Sequence, residues 1–199
     1  MTHSLRITTL LLLTAAGLLA LTGCDNSGSN EPEAMTYTAD LTALNNSGVS
    51  GQAEVTVQGD EMTVTIDAEG TEAEQVHAQH IHGSTDGSMS SCPTIEADSD
   101  GNGRISVSEG APAYGSILVP LDGSLDTAEG LGDLDTFPTA NAEGSYMYNR
   151  SIATTDLAVN EDRGFDALNL SAHAIVVHGI TVDGEYAATL PVACGTLSQ

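Results

Sequence analysis

Ala53-Glu54-Val55-Thr56-Val57-Gln58-Gly59-Asp60-Glu61-Met62-Thr63-Val64-Thr65-Ile66-Asp67 is the stretch that decides the fold class. Ala53, Val55 and Val57 alternate with Glu54, Thr56 and Gln58, and after Gly59-Asp60 the alternation resumes with Met62, Val64 and Ile66 against Thr63, Thr65 and Asp67. A period of two puts the apolar residues of each run on one face, and a Gly-Asp pair between two such runs signals a β-hairpin. Working outward, further strands are expected at Val76 to Ile81, Ser116 to Leu121, Ser145 to Ile152, His173 to Val177 and Tyr186 to Val192. No long stretch shows a helical period. Short strands separated by Gly, Asn and Asp predict an all-β fold, an antiparallel Greek-key sandwich or barrel.

The N-terminus concerns address. Met1 to Arg6 carries one positive charge, and Ile7 to Ala20 is an unbroken run of apolar, Thr and Gly residues, the pattern of a secretory signal and too short for a membrane span. It ends in Leu21-Thr22-Gly23-Cys24, which resembles the bacterial lipobox. That resemblance implies a lipidated Cys24 and an extracytoplasmic domain anchored to the envelope membrane in the periplasm or at the cell surface, since two or more acyl chains give stable anchoring. The expected organisation is a lipoprotein signal peptide at 1–23, a flexible polar tether at 24–35, and one β-domain at 36–199. With Cys24 taken by lipid, Cys92 and Cys194 remain, and an oxidising compartment lets them pair; free buried thiols are the alternative.

Charge restricts the partners. The chain has 28 acidic residues against four arginines and a net charge of -24. Beyond the signal segment the cations are Arg104, Arg150 and Arg163 alone. Such a chain is not expected to bind nucleic acid, and it suits a halophilic setting, where concentrated salt screens self-repulsion.

Two motifs carry chemistry. In His77-Ala78-Gln79-His80-Ile81-His82-Gly83, His80 and His82 are two apart and would share a strand face, while His77 falls out of that register. A second apolar strand, Ala174-Ile175-Val176-Val177-His178, ends in a histidine that could bring a third imidazole to the pair, and imidazole is the commonest side-chain metal ligand. His173, five residues before His178, is expected outside this group as a satisfied, half-buried side chain. The second motif is Asp98-Ser99-Asp100-Gly101-Asn102-Gly103-Arg104-Ile105-Ser106-Val107-Ser108-Glu109. It matches an EF-hand-like calcium loop: Asp98, Asp100 and Asn102 offer alternate oxygens, Gly103 permits the turn, Arg104 offers its carbonyl, Ser106 acts directly or through water, and Glu109 closes the site. Gly110-Ala111-Pro112-Ala113-Tyr114-Gly115 argues against a helix leaving this loop, and so for a structural ion rather than a sensor.

Across nearly all of the β-domain the chain resembles the copper/zinc superoxide dismutase family. The resemblance rests on His77-Ala78-Gln79-His80-Ile81-His82, Cys92, Val176-Val177-His178 and Ala193-Cys194-Gly195, in family order. It implies copper at His80, His82 and His178, an orienting role for His77 behind them, and a Cys92–Cys194 disulfide. The departures are equally specific. No histidine lies between Gly83 and Ala172, so the family's bridging and zinc histidines have no counterpart and zinc is not expected. Pro191 stands where the family has its guiding arginine, and the negative charge would repel superoxide. Three histidines suit cuprous copper, whereas the cupric ion would need a further ligand. Leu41 to Gly51, the alternating strands and His80-Ile81-His82-Gly83 also resemble the CHRD module, an extracellular β-domain. Three functions follow: an anchored calcium- and copper-binding β-domain, a copper-only dismutase-like enzyme, or a non-catalytic adhesion or scaffold module.

Overall fold

The computed structural model describes residues 32–84, 86–125, 134–157, 159 and 164–199. The signal segment, Cys24, nearly all of the tether and Arg163 lie outside the described residues. Eight antiparallel strands form one continuous sheet curled into a half-barrel, in the order β5-β4-β7-β8-β1-β2-β3-β6. They are β1 (Met35–Ala43), β2 (Ser50–Gln58), β3 (Glu61–Glu69), β4 (Gln79–Gly83), β5 (Ser116–Pro120), β6 (Ser145–Ala153), β7 (Ala174–Val182) and β8 (Glu185–Thr196). The all-β, Greek-key expectation holds.

The alternating stretch is β2 and β3, in register from Ser50↔Glu69 to Gln58↔Glu61. Gly59 at φ +57 takes the first turn position and Asp60 the second without a positive φ, the pattern of a type II′ turn, whose twist matches that of the strands. Val55, Val57, Met62, Val64 and Ile66 are all buried. Each such side chain contributes about 1.5 to 3 kcal/mol on leaving water. They meet Ile81, Ile175 and Val177 of the other half in the main core. β1 joins the halves: Met35 to Leu41 pair with β2, and Thr42 and Ala43 pair with β8.

A second, smaller core lies on the opposite face of β7, where Ala174, Val176 and Cys194 pack with Leu44, Ile105 and Tyr114. The excursion between β4 and β5 covers it. Here the structure corrects the sequence expectation, because the calcium-motif loop does run into a helix, α1 (Val107–Tyr114), with Pro112 inside it. A capping box starts α1: Ser106 accepts from the third-residue backbone and the Glu109 side chain accepts from the Ser106 backbone. Gly115 at φ +87 ends it. In only two turns, the one backbone bond that Pro112 forfeits is outweighed by a well-capped start and by burial of Tyr114. Cys92 and Cys194 are joined by a disulfide (S–S 1.99 Å, Cα–Cα 5.6 Å) that ties the start of the excursion to β8.

Candidate metal centre

His80 and His82 stand on one face of β4, opposite Val176 and Ala174 of β7, so both rings turn away from the main core toward the covered face. His178 follows on β7 beside register shifts at Val177/His178 and His178/Ile180. Each of the three rings offers one nitrogen, and these nitrogens lie within 4.8 Å of one another. Ring centroids are 5.5 Å apart for His80 and His82, 5.3 Å for His80 and His178, and 5.7 Å for His82 and His178. His173 is outside this group.

The outer nitrogens are held by backbone. His82 Nδ1 lies 3.1 Å from the Gly115 carbonyl and His178 Nδ1 lies 2.8 Å from the Thr189 carbonyl, so each donates from Nδ1 and leaves Nε2 as a lone-pair acceptor. Those two Nε2 atoms are buried and receive no hydrogen bond. His80, His82 and His178 are 5, 3 and 4% exposed. Burial, followed by the neighbouring His80, pushes His82 down to about 3, the Gly115 carbonyl opposing. The same causes, with His82 added, hold His178 well below its ordinary value. Both rings are therefore neutral at pH 7, the form that ligates metals.

His77 is fully buried outside the strand, as its register implied, with Nδ1 3.0 Å from the His178 carbonyl and Nε2 3.1 Å from the Glu72 carbonyl. A neutral ring can donate to only one of these. It stacks on Tyr146 at 5.9 Å and meets Tyr186 edge-on at 6.3 Å, while Tyr146 donates to the Gln79 side chain. His77 thus touches the backbone of the third histidine rather than any of the three rings. His173 differs from expectation: it is 1% exposed, and neither ring nitrogen makes a well-formed hydrogen bond among the described residues. It sits one position before β7, where its ring overlies Gly83, and a Cβ at Gly83 would lie 2.2 Å from its Nδ1.

In the 98–109 loop, carboxylate oxygens of Asp98, Asp100 and Glu109 lie within 4.8 Å of one another. Asp98 accepts from the amides of Gly101, Asn102 and Gly103; Asp100 accepts from the Asn102 amide; Asn102 Oδ1 accepts from the Arg104 amide. Glu109 accepts from Ser99 and Asp100 with one oxygen and from Ser106 with the other, and the Ser106 and Ser99 bonds lower it to about 2. The Arg104 side chain reaches Asp183 at 3.3 Å.

Two residues at the histidines had no sequence signal. Phe137 meets the His80 ring edge-on at 5.4 Å, and Tyr114 meets the His82 ring at 4.7 Å. Both come from connections rather than strands, where no periodicity points to a neighbour.

No family profile matches this sequence, and no curated protein matches it. Among solved structures, a double mutant of a SOD-like protein from Bacillus subtilis matches with a TM-score of 0.42 and 17% identity, over 79% of this chain and 94% of that one. This likeness assigns no residue a role.

Proposed function

We propose that the chain is a lipid-anchored, extracytoplasmic metal-binding β-domain that holds copper between His80, His82 and His178 and calcium in the 98–109 loop. The observation that carries the reading is the pair of buried, neutral Nε2 atoms of His82 and His178, which accept no hydrogen bond and share a space with His80. A buried lone pair left without a donor costs about 1 to 3 kcal/mol, and a cation removes that cost from both rings at once. Three imidazoles with no carboxylate suit copper or another borderline metal rather than calcium or magnesium. Copper there would supply one-electron redox chemistry. The chain's own part is to fix the rings: the Gly115 and Thr189 carbonyls set the tautomers of His82 and His178, and His77 steadies the His178 backbone.

Calcium is supported by the full twelve-residue pattern and by the gathering of Asp98, Asp100 and Glu109 oxygens. The envelope address is supported by the signal-like start, Cys24 and the Cys92–Cys194 bridge. A binding role is preferred to dismutation because the net charge of -24 repels a superoxide anion and the three histidines are at most 5% exposed. Metal analysis of untagged protein, loaded anaerobically with cuprous ion and desalted, tests the reading. One copper per chain is expected, falling to less than about a tenth in His80→Ala/His82→Ala/His178→Ala with the calcium content unchanged. A folded parent that retains no copper would leave the non-catalytic CHRD-like scaffold as the better reading.

A further inference from the structure

We infer that Phe137 and Tyr114 make the three-histidine site selective for the cuprous over the cupric ion. This rests on the reading that the site holds copper. Cupric copper favours a tetragonal set of four or more nitrogen and oxygen donors, so three imidazoles alone leave it short and it must recruit water. The cuprous ion needs no such addition.

The three histidines are at most 5% exposed, and two aromatic rings lie directly against them. Phe137, buried, makes a T-shaped contact with the His80 ring. It is not a loose lid: the Pro138 carbonyl accepts from the His77 amide, Thr139 bridges to Val76, and Ala140 exchanges bonds with Glu74 and Gln75. Tyr114, with no exposed surface, lies against His82, and its hydroxyl donates to the Val107 carbonyl at 3.1 Å, so this oxygen is engaged within α1. Ser90 Oγ donates to the Tyr114 carbonyl, and the next carbonyl, that of Gly115, holds His82. Tyr114 is thus fixed by the segment that holds His82, and Phe137 by a segment bonded to the backbone that leads into β4. An apolar enclosure also discriminates by charge, because desolvation cost grows with the square of the charge and so weighs about fourfold more on a divalent ion.

The test uses the full chain, untagged and metal-free. Cuprous affinity is measured anaerobically against a bicinchoninate-type chelator and cupric affinity against an amino-acid chelator, for the parent and for Phe137→Ala, Phe137→Leu, Tyr114→Ala and Tyr114→Phe. The parent should favour the cuprous ion. Each alanine variant should lower the cuprous-to-cupric ratio at least about tenfold, mainly by tighter cupric binding, while the Leu and Phe variants, which keep the apolar bulk, stay within about threefold of the parent. Cupric resonance spectra in oxygen-17 water should broaden in the alanine variants beyond the parent, reporting a coordinated water that a general loosening of the fold would not produce. Should Phe137→Ala lose its cooperative melt, Phe137→Val answers the same question. Equal cuprous and cupric affinities in the parent, or folded, copper-binding alanine variants with an unchanged ratio, would overturn the inference and leave the metal centre standing. A folded parent that binds copper in neither state would remove both.

Discussion

His173 is poorly satisfied for so buried a side chain: it is 1% exposed, neither ring nitrogen makes a well-formed hydrogen bond, and its ring is pressed over Gly83. Burial lowers its proton affinity below the ordinary value of 6.5, the Ala172 carbonyl opposing. Folded protein therefore keeps this ring neutral while unfolded chain takes a proton below about pH 6.5. The stability that depends on the neutral ring is complete above that pH and is lost as pH falls toward the lower folded value. His173→Leu removes both unsatisfied nitrogens and the titration. We expect it to stabilise metal-free protein by about 1 kcal/mol at pH 7, and to make the melting temperature fall less steeply than the parent's between pH 6.5 and 5. Thermal melts across that range check this, and parallel slopes would contradict it. No local pattern marks so unusual a histidine, since packing over Gly83 arises only when β4 and β7 pair.

At the scale of elements, β4 and β7 bring the histidines together and α1 links them to the 98–109 loop. The H-x-H spacing was readable because a strand's period of two is unambiguous, and its alternation placed β2 and β3 in the same way. The start of β4 was not: Val76 to Ala78, expected in the strand, precede it, because Val76 makes an isolated bridge to Thr139 and His77 donates to Pro138. β1, Met35–Ala43, carries no clear strand signal, for its buried positions are only Ala39 and Leu41. Pro112 hid α1, whose start depends on a side-chain cap. Glu109 has two duties available, that cap and calcium, and substitution can separate them. Glutamine preserves a capping box but not a charged, bidentate ligand. Calcium should stabilise the fold by mass action, by about 2.7 kcal/mol at a hundredfold excess over Kd, and so raise the melting temperature; Glu109→Gln or Asp98→Ala should abolish most of that rise. Melts at constant ionic strength check this. An equal response to magnesium, or an undiminished one in Glu109→Gln, would mean an acidic surface loop.

For the whole molecule, the Cys92–Cys194 bridge spans 102 residues and joins the excursion over the second core to the last strand. Closing a loop of that length restricts the unfolded chain by about 4 to 5 kcal/mol. Reduction, or Cys92→Ser/Cys194→Ser, should lower stability by that order in a denaturant titration, and concentrated salt should restore part of it by screening a chain of net charge -24. The all-β architecture was readable from patterning. The closure of the histidine centre was legible only in part: an apolar strand ending in His178 marks it as a candidate third ligand, but Phe137 and Tyr114 reach the site through packing of the connections between strands, which no local pattern encodes. The proposed function depends on that centre, and anomalous diffraction at the copper edge, from crystals of untagged protein loaded with cuprous ion, tests it most directly. The predicted result is one peak about 2 Å from a ring nitrogen of each of His80, His82 and His178. A fully loaded crystal whose peak lies elsewhere, or whose rings stay unchanged with no peak between them, would contradict it.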